Sequence, residues 1–141
     1  MRAYFDGPNV GQPRYGRVQD LLPECALLLS ALAHVGNENE NDARKAFATG
    51  AEFLDAPGAK PQFLTRSEWD LAQVDAALTK LASYHEPLRR NVLLACGKTV
   101  AADGQVTGRE AELLRAIADA LDCPLPPFIE MLRGEELAKS P

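Results

Sequence analysis

A chain of 141 residues, 46% of them hydrophobic, has room for one domain. At this size roughly 68% of the unfolded surface is buried on folding, so neither a metal nor a disulfide is needed as a staple. Fifteen Lys and Arg against 20 Asp and Glu give a net charge of −5, spread along the chain without a basic face, which excludes nucleic-acid binding by counterion release as the leading function.

The two histidines, His34 and His85, leave little room for zinc or histidine-based catalysis. Residues 1–7 lack the apolar core of a signal peptide. The longest apolar stretch, Cys25–Ala33, falls short of the ~20 residues of a membrane helix, so direct insertion of this segment is not expected. Cys25, Cys96 and Cys123 are odd in number and form no CxxC pair, which reads as reduced thiols in a cytosolic setting. Cys123, beside Pro124 at a helix end, is the one candidate for a reactive thiol, although free cysteine is more often a small buried hydrophobe.

Residues 1–17, punctuated by Gly7, Pro8, Gly11, Pro13 and Gly16, read as a flexible arm. The first helix covers about Val18–Val35, with Pro23 either in its first turn or dividing a short turn from the main helix. Leu27, Leu28, Leu29, Leu32 and Val35 make it apolar on most sides, so it must be covered by partners. Gly36 fits a C-terminal stop. The polar run 37–41 supplies a cap for a second helix over about Asn41–Leu54, and the Pro- and Gly-containing segment near 55–66 separates two helical halves.

Asp70 and Gln73 form a capping pair for a third helix carrying Leu71, Val74, Leu78 and Leu81 at spacings of three and four. Pro87 suits the first turn of a fourth helix, about Glu86–Ala102, with Arg89, Arg90 and Lys98 on its wet side. Thr107 and Glu110 make a full capping box for a fifth, which Pro124, Pro126 and Pro127 end. A short terminal helix at Phe128–Arg133 and a frayed tail, 134–141, complete the chain. Period-two alternation is missing, so the class is all-α: a compact bundle of about five helices within 18–133. Each half carries an apolar helix, a glycine (Gly36, Gly104), a polar turn and a second helix, the pattern of two related helical hairpins.

Two segments approach known chemical motifs. His85-Glu86-Pro87-Leu88-Arg89 has the first His and the Glu of a zinc metallopeptidase helix, but Arg89 stands where the second His belongs, and Pro87 places the segment at a helix start. Asp103-Gly104 through Glu110 resembles the back half of a calcium-binding loop. With Gly104 as the turn glycine, Thr99 and Ala101 occupy the first ligand positions, where oxygen-rich side chains are needed. Asp103 and Glu110 are therefore the metal candidates, with Asp42 or Glu112 as a further carboxylate. A structural turn accounts for every residue: Asp103 and Gly104 reverse the chain, Val106 packs, Thr107 caps and Glu110 closes the box. Phe63 and Trp69 lead into the third helix. Exposed, they would mark a docking surface; more often such residues plug a gap between helices.

The stretch Trp69–Pro127 resembles a larger unit. Leu88-Arg89-Arg90, Val100-Ala101-Ala102-Asp103-Gly104-Gln105-Val106-Thr107 and Glu110–Leu121, closing on Asp122-Cys123-Pro124-Leu125-Pro126-Pro127, are similar to the C-terminal region of bacterial HtpX-type zinc metallopeptidases, metallopeptidase family 48. Tyr15-Gly16-Arg17 through Ala33 resembles the segment just before it, so the likeness covers most of 14–127. The Ala-Asp-Gly-x-Val-Thr-x-x-Glu element is also like the helical module typified by the tellurite-resistance protein TerB. The family's catalytic HExxH, its downstream Glu and its membrane helices do not occur in this sequence, so no catalytic residue carries over and no cofactor is implied.

The resemblance thus implies a non-catalytic, TerB-like accessory domain at the cytoplasmic side of the inner membrane, tethered through a parent metallopeptidase. It would dock on the peptidase domain in cis, bind substrates or other proteins, or self-associate. The alternative is a metal- or ligand-sensing helical module.

Overall fold

The computed structural model describes residues 14–102, 104 and 106–125. Residues 1–13 of the expected arm, Asp103, the helix expected at Phe128–Arg133 and the tail lie outside the described residues. Five α-helices follow in order: α1 (Leu22–Gly36), α2 (Glu40–Ala51), α3 (Leu71–Ala82), α4 (Glu86–Val100) and α5 (Gly108–Leu121). Short 3-10 turns at Val18–Leu21 and Arg66–Glu68 precede α1 and α3. Among the described residues there is no strand, only an isolated bridge between Arg14 and Tyr84. The expected all-α bundle is what forms.

Both readings of Pro23 hold together. The 3-10 turn comes first, and Pro23 then sits in the first turn of α1, where a missing N–H costs no helical bond. The turn and α1 make one apolar run of 19 residues, Val18–Gly36, with mean hydropathy 1.3, which by length and composition is enough to cross a membrane. It runs beyond the nine-residue stretch singled out in the sequence because the helix continues through polar residues. In the fold this run packs against α2, α3, α4 and α5, with Leu28, Leu29, Ala31 and Leu32 fully enclosed.

The helix starts obey local rules. Asn39 caps α2 by accepting the N–H groups of Asn41 (2.7 Å) and Asp42 (3.3 Å). Asp70 and Gln73 form the reciprocal box on α3, at 2.8 and 3.0 Å. Thr107 and Glu110 form the second on α5, at 2.9 and 3.2 Å.

The ends depart from expectation. Helix α2 stops at Ala51 rather than Leu54, because residues 53–55 are claimed by α4: Asn91 donates to Phe53 O (2.9 Å) and accepts from Asp55 N (2.7 Å). Helix α5 ends not through its prolines but at Asp122, which takes the left-handed conformation (φ 56°), with the Cys123 N–H reaching back to Ala118 O at 3.0 Å.

Two glycines expected to be equivalent are not. Gly104 has φ +80° and needs no neighbour to explain it. Gly36 is the last helical residue of α1, without positive φ, and is small because a Cβ there would overlap the Glu110 carboxylate. The stripe on α3 is also rotated. Val74, Ala77 and Leu81 are buried, whereas Leu71 is 71% exposed; at about 100° per residue it lies roughly a quarter-turn from the centre of that face.

Candidate functional site

The zinc-like segment at the α3–α4 junction is occupied by structure. His85 occupies the N-cap position of α4 without a side-chain bond to the helix; its N–H donates to Arg14 O (2.8 Å), its Nδ1 lies 3.3 Å from the same oxygen, and its ring stacks on Tyr15 with centroids 4.9 Å apart. Arg89, expected on the wet side, is half-buried. Its Nε donates to Tyr84 O (2.8 Å), and its Nη1 donates to Leu121 O and to Asp122 O (3.3 Å). The guanidinium is drawn inward because the last carbonyls of α5 have no partner within their own helix, and a forked cation there satisfies several at once.

Cys123 lies against this junction, and burial raises its pKa despite the opposing pull of Arg89. Cys25 is pushed up to about 12 by burial and by Glu24, and Cys96 is raised as well, chiefly by burial. All three thiols are buried and held in the neutral form, which is the wrong direction for a nucleophile.

Phe63 and Trp69 pack on the core rather than standing out. The segment they flank is laced to α1 over long sequence distances. Ser30 Oγ accepts the Leu64 N–H (3.0 Å), His34 Nε2 donates to Leu64 O (2.8 Å), and Arg66 donates to His34 O (3.2 Å) and Asn37 O (2.7 Å). This lacing orients the imidazole with Nε2–H outward to the loop. Among the described residues His34 Nδ1 and Trp69 Nε1 are both buried without a hydrogen-bond partner. Nothing in the local sequence pattern around Ser30, His34 and Arg66 marks this seam.

Besides a concavity of about 360 Å³ beside His85 and one of about 640 Å³ along residues 51–60, two bear on binding. The first, about 330 Å³, lies where α2, the end of α4 and the start of α5 converge, and it brings Asp42 and Glu110 together. Glu112 is exposed and does not line it, and Asp103 lies outside the described residues. Glu110 is only 5% exposed and one carboxylate oxygen is held by the Thr107 N–H, so its first duty is the cap. No group of three or more His, Cys, Asp or Glu among the described residues is arranged to hold a metal. Lys45, Thr49 and Thr99 line the same cleft without any motif to mark them, although Asp42, Lys45, Ala46 and Thr49 follow the i, i+3, i+4, i+7 pattern of one helix face.

The second concavity, about 450 Å³, runs between α1 and residues 60–64. Its apolar wall is Leu22, Pro23, Ala26, Leu27, Pro61 and Leu64, and its rim carries Lys60, Glu68 and Gln73. Comparison with protein-family models, with curated proteins and with solved structures finds no match for this chain.

Proposed function

We propose that the chain is a non-catalytic accessory domain of a membrane-associated zinc metallopeptidase, held at the cytoplasmic face through its parent and engaging the peptidase domain through the groove beside α1. The observation that carries this reading is the groove itself. Leu22 and Leu27 are two of the apolar residues of α1 that the bundle leaves half-buried, and they form a wall facing outward beside a polar rim. The resemblance of most of residues 14–127 to the family's C-terminal region points to the partner, and the structural employment of His85 and Arg89 agrees with a tail that leaves zinc chemistry to another domain.

The test is an NMR titration of this chain with a peptidase domain of the resembled type. Shifts at Ala26, Leu27, Leu64 and Gln73, lost in Leu27→Asp, are expected. A flat spectrum at ~1 mM partner, beyond which any affinity is weaker than about −4 kcal/mol, contradicts docking.

A second reading, a TerB-like metal- or ligand-sensing module, is favoured by the meeting of Asp42 and Glu110 in one cleft. Calorimetric titration with calcium, with zinc and with small organic ligands tests it, and flat isotherms throughout remove it.

A further inference from the structure

The cleft between α2, α4 and α5 has a chemistry more specific than a carboxylate pair. We infer that it is a binding site for a free α-amino acid. The inference rests on the ligand-sensing reading of this cleft and is independent of docking at the α1 groove.

Consider first which groups are committed. Thr99 Oγ1 donates its hydrogen to Ala95 O (3.0 Å) and Thr49 Oγ1 donates to Lys45 O (3.0 Å). Each hydroxyl is therefore left with lone pairs only, Thr49 Oγ1 at the cleft wall and Thr99 Oγ1 against Gly50. Thr99 is 2% exposed and is held by the close passage of α2 over α4: a Cβ on Gly50 would overlap its hydroxyl and meet Ala95 O at 2.6 Å. With the Asp42 carboxylate and Glu110, one side of the cleft is rich in acceptors and negative charge.

A bare anion is thus disfavoured, and a group with several N–H donors is preferred. The opposite requirement comes from Lys45. Among the described residues neither Lys45 nor Asp42 takes part in an ion pair, since the pairs formed are Arg44–Glu40, Lys80–Glu24 and Arg90–Glu86. An unpaired ammonium and an unpaired carboxylate one helical turn apart on α2 face the same space. A plain cation meets Lys45, and a plain anion meets Asp42 and Glu110. A zwitterion matches both, its ammonium on Asp42 and Thr49 Oγ1, its carboxylate on Lys45.

Ala46 and Val100 supply an apolar floor for a side chain. The volume, about 330 Å³, stands at the small end of ligand sites, which run from roughly 300 to 1,000 Å³. That suits an amino acid better than a nucleotide.

The experiment is a 15N titration of the full chain with L-alanine and L-leucine, with propionate and n-propylamine as singly charged controls and with calcium and zinc chloride in parallel. The amino acids are expected to move the amides of Lys45, Thr49, Thr99 and Ala102, leucine at lower concentration than alanine, while the two controls do not. Lys45→Met and Asp42→Asn, both on the exposed side of α2, are each expected to weaken binding about tenfold or more, and Lys80→Met to leave it unchanged. Equal response to the single-charge controls, or full affinity in Lys45→Met, overturns the inference. A response to metal without one to amino acids overturns it and leaves the sensing reading standing, whereas silence toward every probe removes both.

Discussion

The α3–α4 junction and the α2–α4–α5 cleft hold the same kinds of side chain and use them in opposite ways. At the junction, His85 and Arg89 are turned onto backbone: Arg14 O, Tyr84 O, Leu121 O and Asp122 O receive their hydrogen bonds. At the cleft, Asp42 and Lys45 face a concavity with no ion-pair partner among the described residues. The zinc-like spelling at 85–89 is therefore architecture, and the less conspicuous cleft keeps the chemistry that can recognise something. Motif likeness and availability for binding are separate properties, and only the second depends on what the rest of the fold leaves unclaimed.

The largest expected effect breaks the junction. Arg89→Met removes a charged donor from three carbonyls and is expected to cost about 3 kcal/mol in urea unfolding, because such bonds are worth roughly 1.5–3 kcal/mol and the orphaned acceptors add to the loss. An effect below about 1 kcal/mol would reduce the guanidinium to a surface ornament. The buried thiols come next. Cys25, pushed up to about 12 from 9.0, stays neutral in the fold while the unfolded chain ionises, so its contribution is intact below pH 9 and is lost as pH rises toward 12. Stability is expected to fall by about 1.4 kcal/mol per pH unit above 9 for this thiol, with Cys96 acting in the same direction, and Cys25→Ala should flatten the slope.

Smaller still is the cap at the mouth of the cleft. Thr107→Ala is expected to cost about 1 kcal/mol. Glu110→Gln is expected to keep the cap bond, since Gln73 already makes the same reciprocal bond at the start of α3, and to cost less than Thr107→Ala. A large loss in Glu110→Gln would show that the charge, rather than the cap, holds α5 in place.

What could be read from the chain follows the range of each interaction. The boxes at Asp70–Gln73 and Thr107–Glu110 span three residues, so spacing alone reveals them. Pro87 declares a helix start for the same local reason. Arg89 escapes such a reading because two of its three acceptors lie 32 and 33 residues away, and the Ser30–Leu64 and His34–Leu64 bonds span 34 and 30. Gly36 does end α1, but a glycine's local signature does not distinguish a left-handed turn from a close approach by a distant carboxylate. At the cleft, Asp42 and Glu110 were visible as carboxylates, but only the packing of α2 on α4 brings in Thr99.

The contrast between the two regions is tested most directly by measuring urea unfolding of Lys45→Met beside Arg89→Met under the same conditions. If the cleft's charge is unclaimed by the fold, Lys45→Met stays within about 0.5 kcal/mol of the parent chain, the usual range for a surface change without a structural role, while Arg89→Met loses about 3 kcal/mol. Equal destabilisation by the two substitutions would mean that Lys45 also holds the bundle together, and would contradict the account.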